Sequence, residues 1–341
     1  MMTVPARLRV GIVGAGMISQ YHLVGWRQNP HADLVAICDP ELSRANHRAA
    51  EHGVPQTFSS LEDMLDACTI DAVDILTPVA THAPLVRIAA DRGVHVMCQK
   101  PMAATLQEAQ ALVDYVGERV RFMVHENYRY RPHYRAVRQW VDEGRIGEVR
   151  MARMGMRCSG LCATPGEVPW LLQRQPYLAD MPRLVVFETL IHHLDVMRAV
   201  LGELQVSSAS LTRINPSLSG EDTAAIVLRG NNGLVATLDG TLAAPGYPPL
   251  PRDHLELIGE LGTLVLDFDR LYLVGQEGDS LHFDLAARYQ ECFTYAVAQF
   301  VEGIRMGTAF ESDRVDNLKT LQLVESCYQL ALRPVGLATG P

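Results

Sequence analysis

The N-terminal third of the chain alternates short apolar runs with segments in which apolar positions recur at helical spacing. The runs that predict strands are LRVGIVG, ADLVAICD, DAVDILTP, VHVMCQKP and VRFMVHEN. The segments that predict helices are MISQYHLVGWRQN, SRANHRAAEHG, SSLEDMLDAC, THAPLVRIAADRG and TLQEAQALVDYVGE. Ser43, Ser60 and Thr105 stand at predicted N-caps, and Gly53 stands at a predicted C-cap. This alternation predicts an α/β fold with a doubly wound parallel sheet in residues 1–127.

The pattern changes beyond this region. One helix, PHYRAVRQWVDEG, is predicted to end at Gly144. Strand-like runs then follow each other with glycine-rich turns: EVRMARMGMR, LQVSSASLTRI, DTAAIVLRG, GLVATLDGTLA, HLELIGELGTLVLD and RLYLVGQ. They predict a large, open and mostly antiparallel sheet in a second α/β domain, residues 128–335. Two helices, YQECFTYAVAQFVEGIRMG and DRVDNLKTLQLVESCYQLAL, close the chain, and the last is a candidate to pack back on the N-terminal domain.

Polar residues are concentrated in the otherwise apolar stretch VVFETLIHHLDVM, residues 185–197. On a regular helix, Glu188 and His192 share a face, and so do His192 and Asp195. This arrangement suits a general base with an orienting carboxylate. It suits a core helix with surface ion pairs equally well, so the stretch alone does not decide between catalysis and packing.

Composition and charge narrow the possible functions. The chain has 341 residues, of which 48% are hydrophobic and 20% charged, as in ordinary soluble enzymes. The formal net charge of −9 argues against nucleic-acid binding. No apolar run is long enough to span a membrane, and MMTVPARLRVGIVG lacks the apolar core of a signal peptide. The seven cysteines form no C-x-x-C pair, which predicts a reducing, cytoplasmic location.

A glycine motif follows the first predicted strand and opens a helix. In GIVGAGMIS, Gly14 allows a tight turn and Gly16 lets the backbone approach a pyrophosphate at the helix N-terminus. Ser19 replaces the third glycine of the motif. Asp39 ends the next strand, where an acid binds ribose hydroxyls and repels a 2′-phosphate. The motif predicts dinucleotide binding with NAD favoured, although nearby Arg44 leaves NADP possible.

A lysine marks the end of another strand, in CQKPMAAT. Ligands bind at the carboxyl edge of parallel sheets, so Lys100 is predicted to point its ammonium group at the ligand crevice. Pro101 restricts the residue before it and fixes the approach of the lysine. The alternative is a surface lysine at a strand end.

The ordered motifs GIVGAGMIS, TPVATHAP, CQKPMA, NYRYRP, GRIGEV and ETLIHHLD resemble the glucose–fructose oxidoreductase and inositol dehydrogenase family, Gfo/Idh/MocA, along nearly the whole chain. The resemblance implies a Rossmann domain, then an α/β domain with an open sheet, and NAD(P)-dependent oxidation of sugars or polyols. It implies that Lys100 and His192 are catalytic, together with Glu188. The cofactor-binding positions that it implies are Gly14, Gly16, Met17, Ile18, Asp39, Arg44, Thr77, Pro78, His82, Gln99 and Lys100.

Three positions depart from the family pattern. Gln99 replaces the usual glutamate before Lys-Pro, Glu188 replaces an aspartate, and Ser19 replaces a glycine. Gln99 removes a charge beside Lys100. Glu188 is longer by one methylene, so it would either orient His192 or reach the substrate. His193 projects from another face of the helix and is expected to be structural.

Polar and aromatic residues after the last parallel strand and in the loop PWLLQRQPYLADMPR suit a hydroxyl-rich ligand. The predicted substrate-binding residues are Asn127, Arg129, Arg157, Trp170, Arg174, Tyr177, Glu188 and His192. Glu221 and Asp222 are further candidates. The alternative for the loop is an ordered surface segment without a ligand.

The sequence therefore predicts an NAD-dependent dehydrogenase of a sugar or polyol. QKP and NPSLSGED resemble bacterial sugar 1-dehydrogenases of the family, which suggests oxidation of an aldose such as apiose at C1 to a lactone. An inositol-type dehydrogenase or an imine reductase is the alternative within the fold, and a non-catalytic NAD-binding sensor is the alternative outside enzymes. No metal is predicted, since HHLD lacks further ligands. The open sheet predicts a homodimer or homotetramer.

Overall fold

A computed structural model describes residues 7–162 and 166–332. The chain divides into two compact units, and a late segment returns to the first of them. Among the described residues, the first unit contains 7–131 and 286–319, and the second contains 132–162, 166–285 and 320–332. The predicted second domain, 128–335, differs from this division because it includes the returning segment. Two predictions extend beyond the described residues. They concern residues 333–335 of the predicted second domain and residues 1–6 of the segment considered for a signal peptide.

The first unit is built on a six-stranded parallel sheet with the order β3-β2-β1-β4-β5-β6. Its strands are β1 Leu8–Val13, β2 Ala32–Cys38, β3 Gln56–Phe58, β4 Ala72–Ile75, β5 His95–Gln99 and β6 Phe122–His125. This is the strand order of dinucleotide-binding sheets. The predicted doubly wound parallel sheet is confirmed.

The second unit is built on an eight-stranded sheet with the order β14-β13-β12-β11-β7-β10-β9-β8. Its strands are β7 Val149–Arg157, β8 Leu204–Thr212, β9 Thr223–Gly230, β10 Val235–Thr241, β11 Arg252–Gly259, β12 Thr263–Asp267, β13 Arg270–Leu273 and β14 Leu281–His282. All neighbours pair antiparallel except β7 and β10, which are parallel. The predicted mostly antiparallel sheet is confirmed.

Ten α-helices cover these sheets in the described part of the chain. They are α1 Ser19–Gln28, α2 Leu42–His52, α3 Leu61–Ala67, α4 His82–Asp91, α5 Leu106–Val116, α6 Pro132–Asp142, α7 Trp170–Arg174, α8 Ile191–Leu201, α9 Tyr289–Met306 and α10 Arg314–Ala331. Helix α9 belongs to the first unit, and α10 contributes its first residues to the first unit and the remainder to the second.

Helix caps explain where several helices begin and end. The side chains of Ser60 and Thr105 each accept a hydrogen bond from a backbone N–H three residues later, so both predicted N-caps are confirmed. Gly53 ends α2 with φ +66°, as predicted for a C-cap. Ser43 is not an N-cap, because α2 begins one residue earlier and Glu41 occupies the cap position without a side-chain bond.

The core of the first unit joins helix α9 to helix α1 and the sheet. Trp26 and Leu23 of α1 are buried with Phe293 and Phe300 of α9. At Gly25 the helices come so close that a Cβ atom would lie 3.3 Å from the Phe293 carbonyl oxygen. The returning segment is thus part of the hydrophobic core of the first unit.

Three further findings bear on the predicted class of protein. No helix in residues 7–162 and 166–332 is long and apolar enough to cross a membrane. All seven cysteines are unpaired. Within the same residues, no group of three or more histidine, cysteine, aspartate or glutamate side chains is arranged to hold a metal ion.

Candidate active site

The glycine turn connects strand β1 to helix α1. Gly14 has φ +101°, a conformation that residues with side chains rarely adopt. A Cβ atom there would lie 3.0 Å from Cγ2 of Thr77 and 3.1 Å from the carbonyl carbon of Leu76. At Gly16, by contrast, a Cβ atom would meet no protein atom within 4 Å. Gly14 is therefore required by the turn itself, while the space at Gly16 lets a phosphate group approach the backbone.

The predicted cofactor-binding residues lie where the strands of the first sheet end. The strand order reverses direction between β1 and β4, and sheets of this type bind ligands in the crevice beyond that point. Met17, which is 47% exposed, and half-buried Ile18 follow β1. Thr77 and Pro78 follow β4, and the Thr77 hydroxyl accepts a 2.7 Å hydrogen bond from Thr81. These residues border the crevice on both sides.

Asp39 lies at the end of strand β2 and binds the glycine turn directly. Its Oδ2 accepts a 2.8 Å hydrogen bond from the backbone N–H of Ala15, and its Oδ1 accepts one of 2.9 Å from Glu41. A carboxylate oxygen can accept more than one hydrogen bond, so ribose hydroxyls can still bind. The guanidinium of Arg44 pairs with Glu41 at 2.7 Å. Because this ion pair is exposed and weak, it competes with, but does not exclude, the predicted contact of Arg44 with a cofactor.

His82 was predicted to bind the cofactor, but its ring is engaged by the protein backbone. Nδ1 lies 2.8 Å from the carbonyl oxygen of Pro101, and Nε2 lies 2.7 Å from that of Thr77. Burial lowers the pKa of His82, although both carbonyl contacts act in the opposite direction. His82 therefore connects the ends of strands β4 and β5, and any effect on a cofactor would act through these segments.

Lys100 follows strand β5, and its peptide bond to Pro101 is cis. The Lys100 side chain is half-buried. The preceding residue, Gln99, directs its amide nitrogen at two histidines: Nε2 lies 2.7 Å from Nε2 of His22 and 3.2 Å from Nδ1 of His125. These histidines engage the amide nitrogen of Gln99, and the contact of Gln99 with the cofactor stays a prediction.

The two histidines are part of a buried cluster. Asp74 Oδ2 lies 2.7 Å from His22 Nδ1 and also accepts a 2.7 Å hydrogen bond from the indole N–H of Trp26. The His22 and His125 rings lie 4.1 Å apart, and His125 stacks on Phe293. Asp74, His22 and His125 are fully buried. The cluster is thus a packed polar network that contacts Gln99, the last residue of the strand before Lys100.

Two predicted substrate-binding residues after strand β6 are engaged inside the first unit. The guanidinium of Arg129 binds the Asp316 carboxylate at 2.8 Å and donates to the carbonyl oxygen of Glu311. Asn127, 7% exposed, donates to Cys292 Sγ at 3.6 Å. We therefore expect Arg129 to fasten the returning segment, because two of its donors bind that segment, and a role in substrate binding stays a prediction.

The stretch that carries Glu188 and His192 is not a uniform α-helix. Residues Val185–Leu190 form a π-helical turn, and α8 begins at Ile191. Glu188 is half-buried on this wide turn, while His192 lies on the first turn of α8 and is 9% exposed. Because a π-helical turn has a different residue spacing, the regular-helix argument that Glu188 and His192 share a face does not apply. Such turns are frequent at functional sites.

Glu221 anchors the π-helical turn. Its Oε1 accepts hydrogen bonds of 3.1 Å from the backbone N–H groups of both Leu184 and Val186. The same oxygen accepts a 2.6 Å hydrogen bond from the Tyr328 hydroxyl. Burial and the charge of Glu221 raise the pKa of Tyr328. Glu221 was considered as a substrate ligand, but these contacts make it the residue that holds the start of the Glu188 segment.

The other polar residues of α8 have partners within the second unit. His193 is fully buried, and its Nε2 lies 2.9 Å from Asp253, which also accepts a 2.7 Å hydrogen bond from Tyr134. Asp195 is fully buried and accepts a 2.8 Å hydrogen bond from Thr320. These contacts give His193 and Asp195 structural roles.

The loop before the π-helical turn brings an aromatic residue to Glu188. The Tyr177 hydroxyl donates a 3.1 Å hydrogen bond to Gln175 Oε1. Removal of the phenol from water, together with the nearby charge of Glu188, raises the pKa of Tyr177, although the residue as a whole is 55% exposed. The Arg174 guanidinium lies 4.9 Å from the Trp170 ring, a cation–π distance. Tyr177 and Glu188 thus lie together, whereas Trp170 and Arg174 form a separate pair.

Two remaining candidates serve the second sheet and its turns. Arg157 forms an ion pair with Asp239 on the neighbouring strand β10 and donates to its carbonyl oxygen at 3.1 Å. Asp222 is fully buried and accepts hydrogen bonds from the backbone N–H groups of Ile214 and Asn215. We expect both residues to stabilise the sheet rather than bind substrate, since these contacts occupy their charged groups.

Comparison with known proteins gives matches along most of the chain. Residues 8–127 match the family described as an oxidoreductase family with an NAD-binding Rossmann fold, and residues 134–265 match the GFO/IDH/MocA C-terminal domain. D-apiose dehydrogenase of Paraburkholderia graminis is 33% identical over 340 residues, which cover 96% of this chain and 88% of that protein. Inositol 2-dehydrogenase of Rhizobium meliloti is 28% identical and covers 94% and 96%. A crystal structure of an oxidoreductase from Agrobacterium radiobacter, in complex with NAD+, L-tartaric acid and magnesium, aligns with a TM-score of 0.87 at 28% identity and covers 95% and 96%.

Proposed function

Since the chain belongs to the Gfo/Idh/MocA family of oxidoreductases with an NAD-binding Rossmann fold, we propose that it oxidises a hydroxyl group of a sugar or polyol with NAD. The protein is thus an NAD-dependent dehydrogenase, as its sequence predicts. The named relatives act on sugars or polyols, which supports this substrate class. The sensor alternative has no support from these relatives, because both are named as dehydrogenases.

The glycine turn is the observation that supports the cofactor assignment most directly. The open space at Gly16 fits a pyrophosphate, and the N-terminus of α1 favours its negative charge. Asp39 would hold the adenosine ribose, and Thr77 and Pro78 would border the crevice from strand β4. When bound, NAD supplies the hydride acceptor for the oxidation.

Three residues of the chain are proposed to act on the substrate. His192 takes the proton of the hydroxyl group as general base, because an imidazole has a pKa suited to proton transfer near neutral pH. Lys100 stabilises the alkoxide that develops on the same oxygen. Glu188 orients His192 or a neighbouring hydroxyl, and Tyr177, which lies beside it, extends this polar surface.

The preferred substrate is proposed to be an aldose oxidised at C1 to a lactone. The relative at 33% identity is named for D-apiose, a branched aldose. Trp170 and Arg174 offer an aromatic face and a fork of donors to a sugar of this kind, and Asn127 remains a further candidate. An inositol-type substrate is the alternative, since another relative is named for inositol.

A substrate screen tests this function. Aldoses, including apiose, and polyols and inositols would each be incubated with NAD or NADP while reduced cofactor is measured by absorbance. We expect at least one aldose to reduce NAD, with a higher kcat/KM than the polyols. NAD binding by calorimetry without turnover of any sugar or polyol would instead support a sensor.

The second sheet and the cysteines bear on the assembly and the cellular location of the protein. The second sheet buries one face and leaves the other partly exposed, and on that face Met151 pairs in register with Val235 and Ile258. These three residues are 47%, 39% and 37% exposed. We infer that this apolar row is covered by a second copy of the chain in a homodimer or homotetramer. Seven unpaired cysteines support a reducing, cytoplasmic location.

A further inference from the structure

Both sequence neighbours of Lys100 are held by buried histidines. On one side, the Gln99 amide nitrogen contacts His22 and His125 at 2.7 and 3.2 Å. On the other side, the Pro101 carbonyl oxygen lies 2.8 Å from His82 Nδ1. The exposed fractions of His22, His82 and His125 are 0%, 1% and 0%. We call these three histidines the histidine clamp.

The clamp draws its members from three elements around strand β5. His22 lies on α1, His82 is the first residue of α4, and His125 ends β6. Asp74 fixes His22 from strand β4 at 2.7 Å. Strand β5 ends at Gln99, so the residue that the two histidines hold is the last of the strand and Lys100 follows it directly. The backbone on both sides of Lys100 is therefore fixed by buried histidines.

Hydrogen-bond chemistry specifies the protonation of two clamp members. An amide nitrogen only donates, so it requires acceptor nitrogens on both rings that it contacts. His22 then carries its proton on Nδ1, where it donates to Asp74, and His125 carries its proton on Nε2. The opposite orientation of the Gln99 amide would require His22 to donate from both nitrogens, as a fully buried imidazolium.

We propose that the histidine clamp positions Lys100 for catalysis and that it requires an amide at position 99, which keeps His22 and His125 neutral. This inference rests on the proposed function, because it assigns Lys100 to the reaction. His22, His82, His125 and Gln99 are positioning residues and do not touch the reacting atoms. A carboxylate at position 99 would accept rather than donate, so it would draw protons onto His22 or His125 and alter the clamp.

The protonation states can be measured without any substrate. Protein labelled with 15N-histidine would be studied by long-range 1H–15N NMR, and His22→Asn and His125→Asn variants would assign the signals. At neutral pH we expect His22 as the neutral Nδ1–H tautomer and His125 as the neutral Nε2–H tautomer. We expect at least one of them to become an imidazolium in Gln99→Glu. An imidazolium at His22 in the unaltered protein would overturn the proposal.

Kinetics test the positioning role. Gln99→Glu and Gln99→Met should each lower kcat about tenfold, the rate equivalent of roughly one hydrogen bond, and leave the Kd for NAD within about twofold. Gln56→Glu makes the same charge change at an exposed position of β3 in the same sheet and should leave kcat unchanged. Folded Gln99→Met and Gln99→Glu proteins with unaltered kcat would contradict the clamp. If no sugar were oxidised, the proposed function would fail while the NMR result would still decide the protonation of the clamp.

Discussion

Lys100 shows how far the environment of one residue depends on positions distant in sequence. The lysine and the proline after it were predictable from their place at a strand end. Its supports, His22 and His125, come from other elements, and the sequence only hinted at the cluster through Asp74, a lone acid in the apolar run AVDILTP. The sequence could not show whether Arg129 binds a ligand or the protein, because a guanidinium donates hydrogen bonds to either. In the structure it binds the Asp316 carboxylate.

Cofactor choice depends on single residues around the adenosine end of the site. Glu41 pairs with Arg44 in an exposed ion pair, which reduces the attraction of Arg44 for a 2′-phosphate. We therefore expect the charge of Asp39 to decide the cofactor preference and to make NAD the better cofactor. Glu41→Ala frees Arg44, so we expect the ratio of kcat/KM for NADP to that for NAD to rise severalfold. The double variant Glu41→Ala/Arg44→Ala is the control and should lose this gain. A natural preference for NADP would contradict the role of Asp39.

At the scale of elements, local chemistry was predictable and changes of helix type were not. Ser60 and Thr105 were recognised as caps because a short polar side chain can satisfy a free N–H of the first helical turn. Ser43 fulfilled the same rule but lies inside α2. The run HLELIGELGTLVLD proved to be two strands, β11 and β12, that turn at residues 260–262. The π-helical turn had no sequence signal, because Glu221 and Tyr328, which anchor it, lie far along the chain.

The anchor of the π-helical turn gives a prediction at this scale. Tyr328→Phe removes the 2.6 Å hydrogen bond to Glu221, which should lower the free energy of unfolding by about 1 kcal/mol. It should also lower kcat severalfold, since Glu221 holds the segment that carries Glu188. Denaturant unfolding and steady-state kinetics measure both effects. Tyr295→Phe, at a 55% exposed position of α9, is the control and should change neither. Unaltered stability and kcat in Tyr328→Phe would show that the anchor is unimportant.

At the scale of the whole molecule, the sheet types followed from the sequence, but the path of the chain did not. Alternating strands and helices require a parallel sheet, and consecutive strands with tight turns favour an antiparallel one. The sequence offered the last helix as a candidate to pack back on the N-terminal domain, but it did not predict that α9, within residues 286–319, belongs to the first unit. The apolar spacing of α9 shows that one face is buried, but it does not identify Leu23 and Trp26 of α1 as the partners.

Two histidines, buried His82 and half-buried His95, predict how stability depends on pH. Burial lowers the pKa of His82 and, together with the charge of Arg121, that of His95. His95 Nδ1 also accepts a 3.1 Å hydrogen bond from the Arg121 N–H. The unfolded chain therefore binds these protons at a higher pH than the folded protein, and stability falls as the pH drops through about 6.5, the ordinary value.

Chemical denaturation at about pH 7.5 and about pH 5.5, on either side of that value, measures this dependence. We expect a lower free energy of unfolding at the acidic pH and a smaller difference in His95→Gln. His47→Gln replaces an exposed histidine and should keep the full difference. Equal stability at both pH values would contradict the roles of His82 and His95.

The exposed apolar row of the second sheet predicts the state of association. Met151→Glu places a charge between Val235 and Ile258, so it should convert the oligomer into monomers at micromolar concentration. Light scattering coupled to size exclusion gives the mass directly. Leu261→Glu changes a 78% exposed loop residue and should leave the oligomer intact. A monomeric unaltered protein would refute the proposed assembly.

The catalytic assignment of His192 is tested most directly by comparing it with its neighbour. The measurement is kcat with NAD and the best sugar for the unaltered protein, His192→Ala and His193→Ala, with folding checked by circular dichroism. His192→Ala should lower kcat by about 10² or more, the typical worth of a general base, with little change in NAD affinity. His193→Ala should lose stability, because Asp253 loses one of its partners and keeps Tyr134, but the folded protein should keep most of its kcat. A folded, inactive His193→Ala beside an active His192→Ala would contradict the account.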